Sequence, residues 1–435
     1  MARELLLGLT LALALAASPV HSEPDEAASN QELERRLDAL AEEVDDMKLG
    51  AVAGELESRF GFGPAASKVY GVDGGVSFGG YGEMLYQNHL DEDESGSPVG
   101  RTDAIDYLRQ ILYFGYRFDD RLLFNSEIEF EHASTGKQGE VSVEFAYIDL
   151  LLRPDVNARA GLLLVPMGFI NELHEPPTFF GALRPQTESV IIPTTWRANG
   201  LGLFGNPGGA AEGLSYRAYI IESLSSVDGE NGASYSASGL RGGRQSGSKA
   251  LMQNAAFTAR VDYERSGWLV GGSTFTGGTA QKDTTSTGDT FTGRTTILEA
   301  HLQVDFGAMR LRGLLASAFV DEAARINDAN GLSGADGVGS RLVGGYIEAG
   351  YDILHSRASH SAWKAIPYMR WEQVDPHDQV PEGFLADPAR KQRTLTLGAA
   401  LSPHPQVVVK GDYVSNSNDA GTGVDQWNLA LGYHF

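Results

Sequence analysis

Residues 426–435 read Gln-Trp-Asn-Leu-Ala-Leu-Gly-Tyr-His-Phe. Trp427, Leu429, Leu431, Tyr433 and Phe435 alternate with Gln426, Asn428, Ala430, Gly432 and His434, the two-residue period of a strand with two unlike faces. The same period runs back through the chain. Asn125, Glu127, Glu129 and Glu131 alternate with Phe124, Ser126, Ile128 and Phe130, and Thr258, Arg260, Asp262 and Glu264 with Phe257, Ala259, Val261 and Tyr263. Glu299, His301, Gln303 and Asp305 alternate with Leu298, Ala300, Leu302, Val304 and Phe306. A charged face backing an apolar one suits a soluble sandwich and a membrane barrel equally, so the strands alone leave both open.

The connections separate the two. Short links fall at 119–120, 153–155, 205–212, 265–266, 307–308, 355–360 and 403–405, and long polar segments at 90–104, 166–197, 225–254, 278–293, 321–340, 375–391 and 417–423. A sandwich has no reason to keep its long loops at one end, whereas outer-membrane barrels pair short inner turns with long outer loops on an even number of strands. The expected fold is therefore all-β: a transmembrane antiparallel β-barrel of about sixteen strands over residues 75–435, with a short N-terminal coiled-coil helix. Tyr351, Trp363, Trp371 and Tyr413 near strand ends fit aromatic girdles. An alternating last strand closing on a terminal Phe resembles the signal by which outer-membrane barrels are recognised for insertion. Trp427, Tyr433 and Phe435 would carry it to the barrel-assembly machinery.

Composition agrees. The 435 residues contain 53 Gly and no Cys, and 57 acidic against 34 basic side chains give a net charge of −23. No Cys means no disulfide framework, thiolate metal site or Cys nucleophile. The acidity argues against nucleic acid as a partner. Mean hydropathy is −0.20, and the absence of an apolar run of helix-spanning length excludes a helical membrane protein but not a barrel.

Ahead of the strands, Arg3 and the apolar run 5–17 read as a signal peptide over 1–22, too short to span a bilayer. Leu33, Leu37, Leu40, Val44 and Met47 are spaced 4, 3, 4, 3, an a/d seam. Residues 23–50 are thus expected to form a periplasmic coiled coil or a lone amphipathic helix. The Gly- and Ala-rich stretch 51–74 reads as a linker. These features place the chain in the bacterial outer membrane, against lipid and lipopolysaccharide.

Sixteen strands leave an aqueous channel where eight would be filled by side chains. Expected lumen charges are Glu127, Glu129, Glu131, Glu299, Glu348 and Glu372 facing Arg109, Arg260, Lys364, Arg370 and Lys410, which demand water or pairing. The long segment 166–197 carries Phe169, Ile170, Phe179, Phe180, Val190, Ile191, Ile192 and Trp196, stiffened by Pro176, Pro177, Pro185 and Pro193. It is expected to fold inward and narrow the lumen. Its charged residues are Glu172, His174, Glu175, Arg184, Glu188 and Arg197. Arg184 and Arg197 could contact an oxyanion through their guanidinium forks, or pair with Glu172, Glu175 or Glu188 and brace the loop.

Residues 161–205, GLLLVPMGFINELHEPPTFFGALRPQTESVIIPTTWRANGLGLFG, resemble the phosphate-selective porin O and P family in the HEPP, RP, IIPTTWR and G-x-G-x-F-G elements. Residues 79–83, 367–372 and 410–413 resemble the same family's first and late strands. The resemblance implies a trimeric sixteen-stranded barrel with an inward third loop and a small solute, phosphate included, as its cargo. The helix before the barrel resembles that of coiled-coil-bearing trimeric porins. The family's dense ladder of arginines has no match here, and residues 75–435 hold 43 acids and 28 bases. A general or weakly cation-selective pore, a dicarboxylate or sugar channel, and a non-conducting tether or adhesin stay open.

Other motifs carry nothing. Gly200, Gly202 and Gly205 spell G-x-G-x-x-G, but Asn206-Pro207 stands where a helix would begin. His174-Glu175 lacks the second His of a zinc protease. Asp91, Asp93 and Ser95 copy the start of a calcium loop whose twelfth position is Thr102, leaving divalent-ion binding by an outer loop open. No cofactor, metal or catalytic set is expected.

Overall fold

The computed structural model describes residues 35–38, 57–133, 136, 139–229, 232–357 and 362–435. The expected signal peptide and the coiled coil lie outside these residues, save that 35–38 are helical.

Sixteen strands close into one antiparallel barrel. They are β1 Gly75–His89, β2 Ala104–Arg117, β3 Leu122–Glu131, β4 Val141–Arg153, β5 Val156–Leu164, β6 Arg197–Gly205, β7 Leu214–Glu222 and β8 Ala255–Arg265, followed by β9 Trp268–Gly278, β10 Arg294–Phe306, β11 Met309–Val320, β12 Arg341–Tyr351, β13 Lys364–Gln379, β14 Gln392–His404, β15 Val407–Asn418 and β16 Gln426–His434. Each pairs with its sequence neighbours, and β16 returns to β1 with Tyr81 opposite His434 and Gly82 opposite Tyr433. Phe435 extends the seam, its N–H donating to the Gly80 carbonyl at 2.8 Å and its carbonyl accepting from Gly80 at 3.0 Å. Closure leaves no edge with unpaired backbone groups, the condition for a sheet in hydrocarbon.

Side chains are sorted against the habit of soluble proteins. Leu298, Leu315, Ile347, Met369, Trp371, Trp427 and Leu429 stand on the outer face, and Phe306 and Leu315 are 76% and 70% exposed. Glu127, Asp149, Arg260, Glu299, Glu348, Glu372 and Lys410 are buried inside. Outward apolar and inward polar residues alternate as in membrane barrels. The aromatic pair Tyr413–Trp427, with ring centroids 4.8 Å apart, sits on the outer face.

Connections between even- and odd-numbered strands lie at one end and most are short, that of 352–363 being the exception, while those between odd- and even-numbered strands lie at the other. Two details differ from the sequence reading. The connection 132–140 belongs with the long ones and was not singled out, and β13 runs to Gln379 although 375 was expected to open a loop. The polar run around Pro376 reads as loop, but the register there shifts between Arg341 and Val343 of the partner strand. A bulge is where a strand tolerates a proline.

The linker reading of 51–74 needs a larger correction. Its described part, 57–74, lies inside the barrel at the short-turn end, with Phe62, Ala65, Ala66, Val69 and Tyr70 at most 5% exposed. A bridge joins Arg59 to Phe62, and Lys68–Tyr70 forms a 3₁₀ turn. The glycines and alanines that suggested a spacer let this backbone approach the wall closely.

The outward face yields a direct test. Leu315 is mid-strand on β11, so Leu315→Arg is expected to cost about 2–4 kcal/mol of folding free energy in lipid vesicles. Denaturant titration measures it, and Ala316→Ser, facing inward, serves as the mild control.

Candidate functional site

Segment 165–196 joins two neighbouring strands, β5 and β6, yet it bonds to strands all around the barrel. On β3, Glu127 Oε1 lies 3.1 Å from His174 Nε2. Arg260 of β8 donates to the Gly168 carbonyl, and Arg312 of β11 to that of Thr178 at 3.4 Å. Tyr346 Oη of β12 donates to Glu188 Oε1 at 2.6 Å. The amides of Gln186 and Thr187 and the Thr187 hydroxyl donate to Glu372 of β13 at 3.0, 2.7 and 2.8 Å. On β15, Asp412 accepts from the Ala182 amide at 2.7 Å and Lys410 Nζ donates to the Gly181 carbonyl at 2.9 Å. His434 of β16 meets Glu175 at 2.6 Å. Only a segment lying across the lumen reaches all of these.

Its own residues dictate that shape. Met167, Phe169, Ile170, Phe179, Ile191, Ile192 and Trp196 are buried in the lumen core, and Trp196 packs on Phe275 with centroids 4.8 Å apart. Asn171 ties the loop's two ends together. Its Nδ2 donates to the carbonyls of Val165 and Trp196 at 2.7 and 2.9 Å, and its Oδ1 accepts from the Trp196 amide at 2.7 Å.

Most lumen charges are paired. Arg109 lies 3.4 Å from Glu83 and 3.2 Å from Glu129. Arg217 bridges Glu172, at 3.2 Å, and Asp262. Arg260 sits 2.8 Å from Asp262, and His301 spans Asp262 and Glu299 at 2.9 and 2.7 Å. Glu348 lies 3.5 Å from Arg312 and 3.8 Å from Arg370. Paired, hydrogen-bonded ions are the form in which charge is tolerated away from bulk water.

A few cations stand apart. Arg184 has no carboxylate or hydrogen-bond partner among the described residues, and its Nη2 is buried. Arg241 and Arg244, from the loop after β7, turn onto the inward loop. Arg241 donates to the Thr194 carbonyl at 2.7 Å, and Arg244 to the carbonyls of Thr194 and Thr195 at 2.9 and 2.6 Å. Neither has a carboxylate partner among the described residues. Burial, then the charges of Arg184 and Arg109, pull Arg241 below its usual range, and burial, then Arg241, brings Arg244 down to about 10. Glu144 and Glu131 oppose the shift in both, so nearby carboxylates offset only part of the burial and mutual repulsion of these arginines.

Toward the short-turn end the lumen opens into a cavity of about 910 Å³ bounded by 57–61, Phe169, Glu172, Arg217, Arg260 and Arg312. A smaller one of about 320 Å³ lies toward the long loops, between Leu183 and Gln186 of the inward loop and the β14–β16 wall.

The sequence-derived candidates divide accordingly. Arg197 pairs with Glu144 of β4, a residue the sequence reading did not select. His174 and Glu172 brace the loop through Glu127 and Arg217. Glu188 accepts from the Ile170 amide at 2.7 Å and from Tyr346. Glu175 accepts from the amides of Ala65 and Ala66 at 2.9 and 3.1 Å. Neither arginine pairs with the three glutamates expected for it, and Arg184 alone of the six is uncompensated. Of the expected lumen charges, Arg109, Glu127, Glu129, Glu131, Arg260, Glu299, Glu348, Arg370, Glu372 and Lys410 line the interior. Lys364 does not join them: as the first residue of β13 it is exposed at the rim. Arg241 and Arg244 were missed because they lie in a Gly- and Ser-rich outer loop whose folding over its neighbour is tertiary.

No protein-family model matches the chain. It is 37% identical over 384 residues to an "Uncharacterized protein" of Aquifex aeolicus (strain VF5), covering 86% of this chain and 83% of that one. Among solved structures it resembles Salmonella typhi OmpF in a complex with daunomycin (TM-score 0.52, 13% identity, 83% of this chain and 98% of that one). It also resembles the outer membrane channel DcaP of Acinetobacter baumannii (TM-score 0.51, 12% identity, 83% and 97%). A loop L8 deletion mutant of OmpT, an outer membrane protein of Vibrio cholerae, is similar too (TM-score 0.51, 10% identity, 84% and 100%). At such identities the likeness is one of fold, that of the sixteen-stranded porin barrel.

Glu372 anchors the middle of the inward loop. Glu372→Ala removes three hydrogen bonds at once and is expected to cost about 1–3 kcal/mol. Limited proteolysis should then cut within 183–190 faster than in the parent protein.

Proposed function

The chain belongs to the same family as the Aquifex aeolicus protein, and we propose that it is an outer-membrane porin, a trimeric water-filled barrel passing small hydrophilic solutes by diffusion, with preference for small oxyanions such as phosphate. The channel reading rests on the closed sixteen-stranded wall with its charged interior, a size that leaves a lumen. The preference rests on Arg184, Arg241 and Arg244, cations beside the inward loop without carboxylate partners among the described residues. Guanidinium forks match the geometry of phosphate and carboxylate, and rings of fixed charge set pore selectivity. The likeness of 161–205 to the phosphate-selective porin O and P family points the same way.

The acid excess of residues 75–435 favours a second reading, a general or weakly cation-selective pore. Against it, many inward acids are committed to arginine, histidine or amide partners.

Reversal potential in a planar bilayer under a KCl gradient, followed by phosphate titration, decides between them. Anion selectivity with phosphate block is expected. Each contact charge is worth ~1 kcal/mol in water, so R184A/R241A is expected to lower the anion-to-cation permeability ratio by about fivefold or more. Cation selectivity in the parent would discard the anion preference and keep the porin. No conductance at all would favour a tether.

A further inference from the structure

The segment 57–74 occupies the inner mouth with more specificity than a passing chain requires. Three sets of contacts hold it. Tyr70 Oη donates to Asp149 Oδ2 at 2.7 Å and accepts from Arg159 Nη2 at 2.8 Å, while Arg159 donates to both Asp149 oxygens at 2.7 and 2.8 Å. The Arg159 guanidinium lies over the rings of Phe62, Tyr147 and Phe204 at 4.7, 4.1 and 4.5 Å. Glu175, from the inward loop, accepts the Ala65 and Ala66 amides, and Asn125 Nδ2 donates to the Ala66 carbonyl at 2.9 Å.

The fit is also steric. Gly61 has φ +92°, and a Cβ on Gly63 would stand 2.3 Å from Glu175 Oε1. Val69 fills the space beside Gly115, where an added Cβ would lie 2.7 Å from the valine Cβ. These partners lie on β2 to β6 and the inward loop. The open cavity lies on the other side, against β7 to β11, with 57–61 as one of its walls.

We infer that residues 57–74 are a built-in plug, seated on Glu175, Asp149 and Arg159, that closes one side of the inner mouth and sets how much the channel conducts. The inference rests on the porin reading above. It makes the segment an autoinhibitory element whose release widens the exit.

The test uses the full chain in planar bilayers. Gly63→Val drives a branched side chain into Glu175 and so disturbs the seat, and its change lies in the segment rather than the barrel wall; Tyr70→Phe removes the hydroxyl contacts. Both are expected to raise single-channel conductance, on the order of twofold for a mouth partly covered by the segment. The chain has no cysteine and Val69 is buried in the seat, so V69C places a single thiol whose labelling by a water-soluble maleimide reports whether the segment is seated. V69C is expected to label slowly and V69C/G63V quickly, the labelling being read by gel shift. Parent-level conductance in both G63V and Y70F overturns the inference, as does fast labelling of V69C in an otherwise parental chain. A parent that conducts nothing overturns the porin reading instead, while the labelling still reports the seat.

Discussion

The backbone of a wall in hydrocarbon has no water to bond to, and every strand must therefore find two partners. The seam between β1 and β16 meets that demand: once Tyr81 pairs with His434 and Phe435 with Gly80, no N–H row faces lipid. Closure fixes the inside and outside of each strand, and the two-residue period then assigns every side chain to lipid or lumen. The exposed Leu315 and the buried Glu127 are consequences of one rule.

Inside, the rule creates a second demand. Charges confined in a tube must be paired or wetted. Here the pairing is used as scaffolding: Glu127, Arg260, Arg312, Glu372, Lys410 and Asp412 each hold a point of the inward loop. Charge that, left to water, would exclude a mostly apolar loop instead carries it across the lumen. Arg184, Arg241 and Arg244 stand out against this background of spent charge.

The fold was legible because two periodic signals agreed, alternation within strands and alternation of turn lengths between them. The site was legible only in part. Glu144 escaped notice because the register shift between Glu127 and Ile128 breaks the parity that revealed its neighbours, so the partner of Arg197 could not be read off. Arg241 and Arg244 belong to a segment whose composition says loop and nothing more. The seat of 57–74 was hidden for the opposite reason: Gly61, Gly63, Ala65 and Ala66 look like a spacer, yet small residues are what a crowded mouth admits. Sequence reveals what repeats, and these contacts occur once.

Arg241 and Arg244 rest on Thr194 and Thr195, next to β6, whereas the inner cavity is bounded by β7 to β11. On the porin reading, a solute that touched both would have to cross the barrel obliquely and pass around the inward loop. Length as well as width would then count against it: a compact ion could turn such a corner, and a rigid rod of the same cross-section could not.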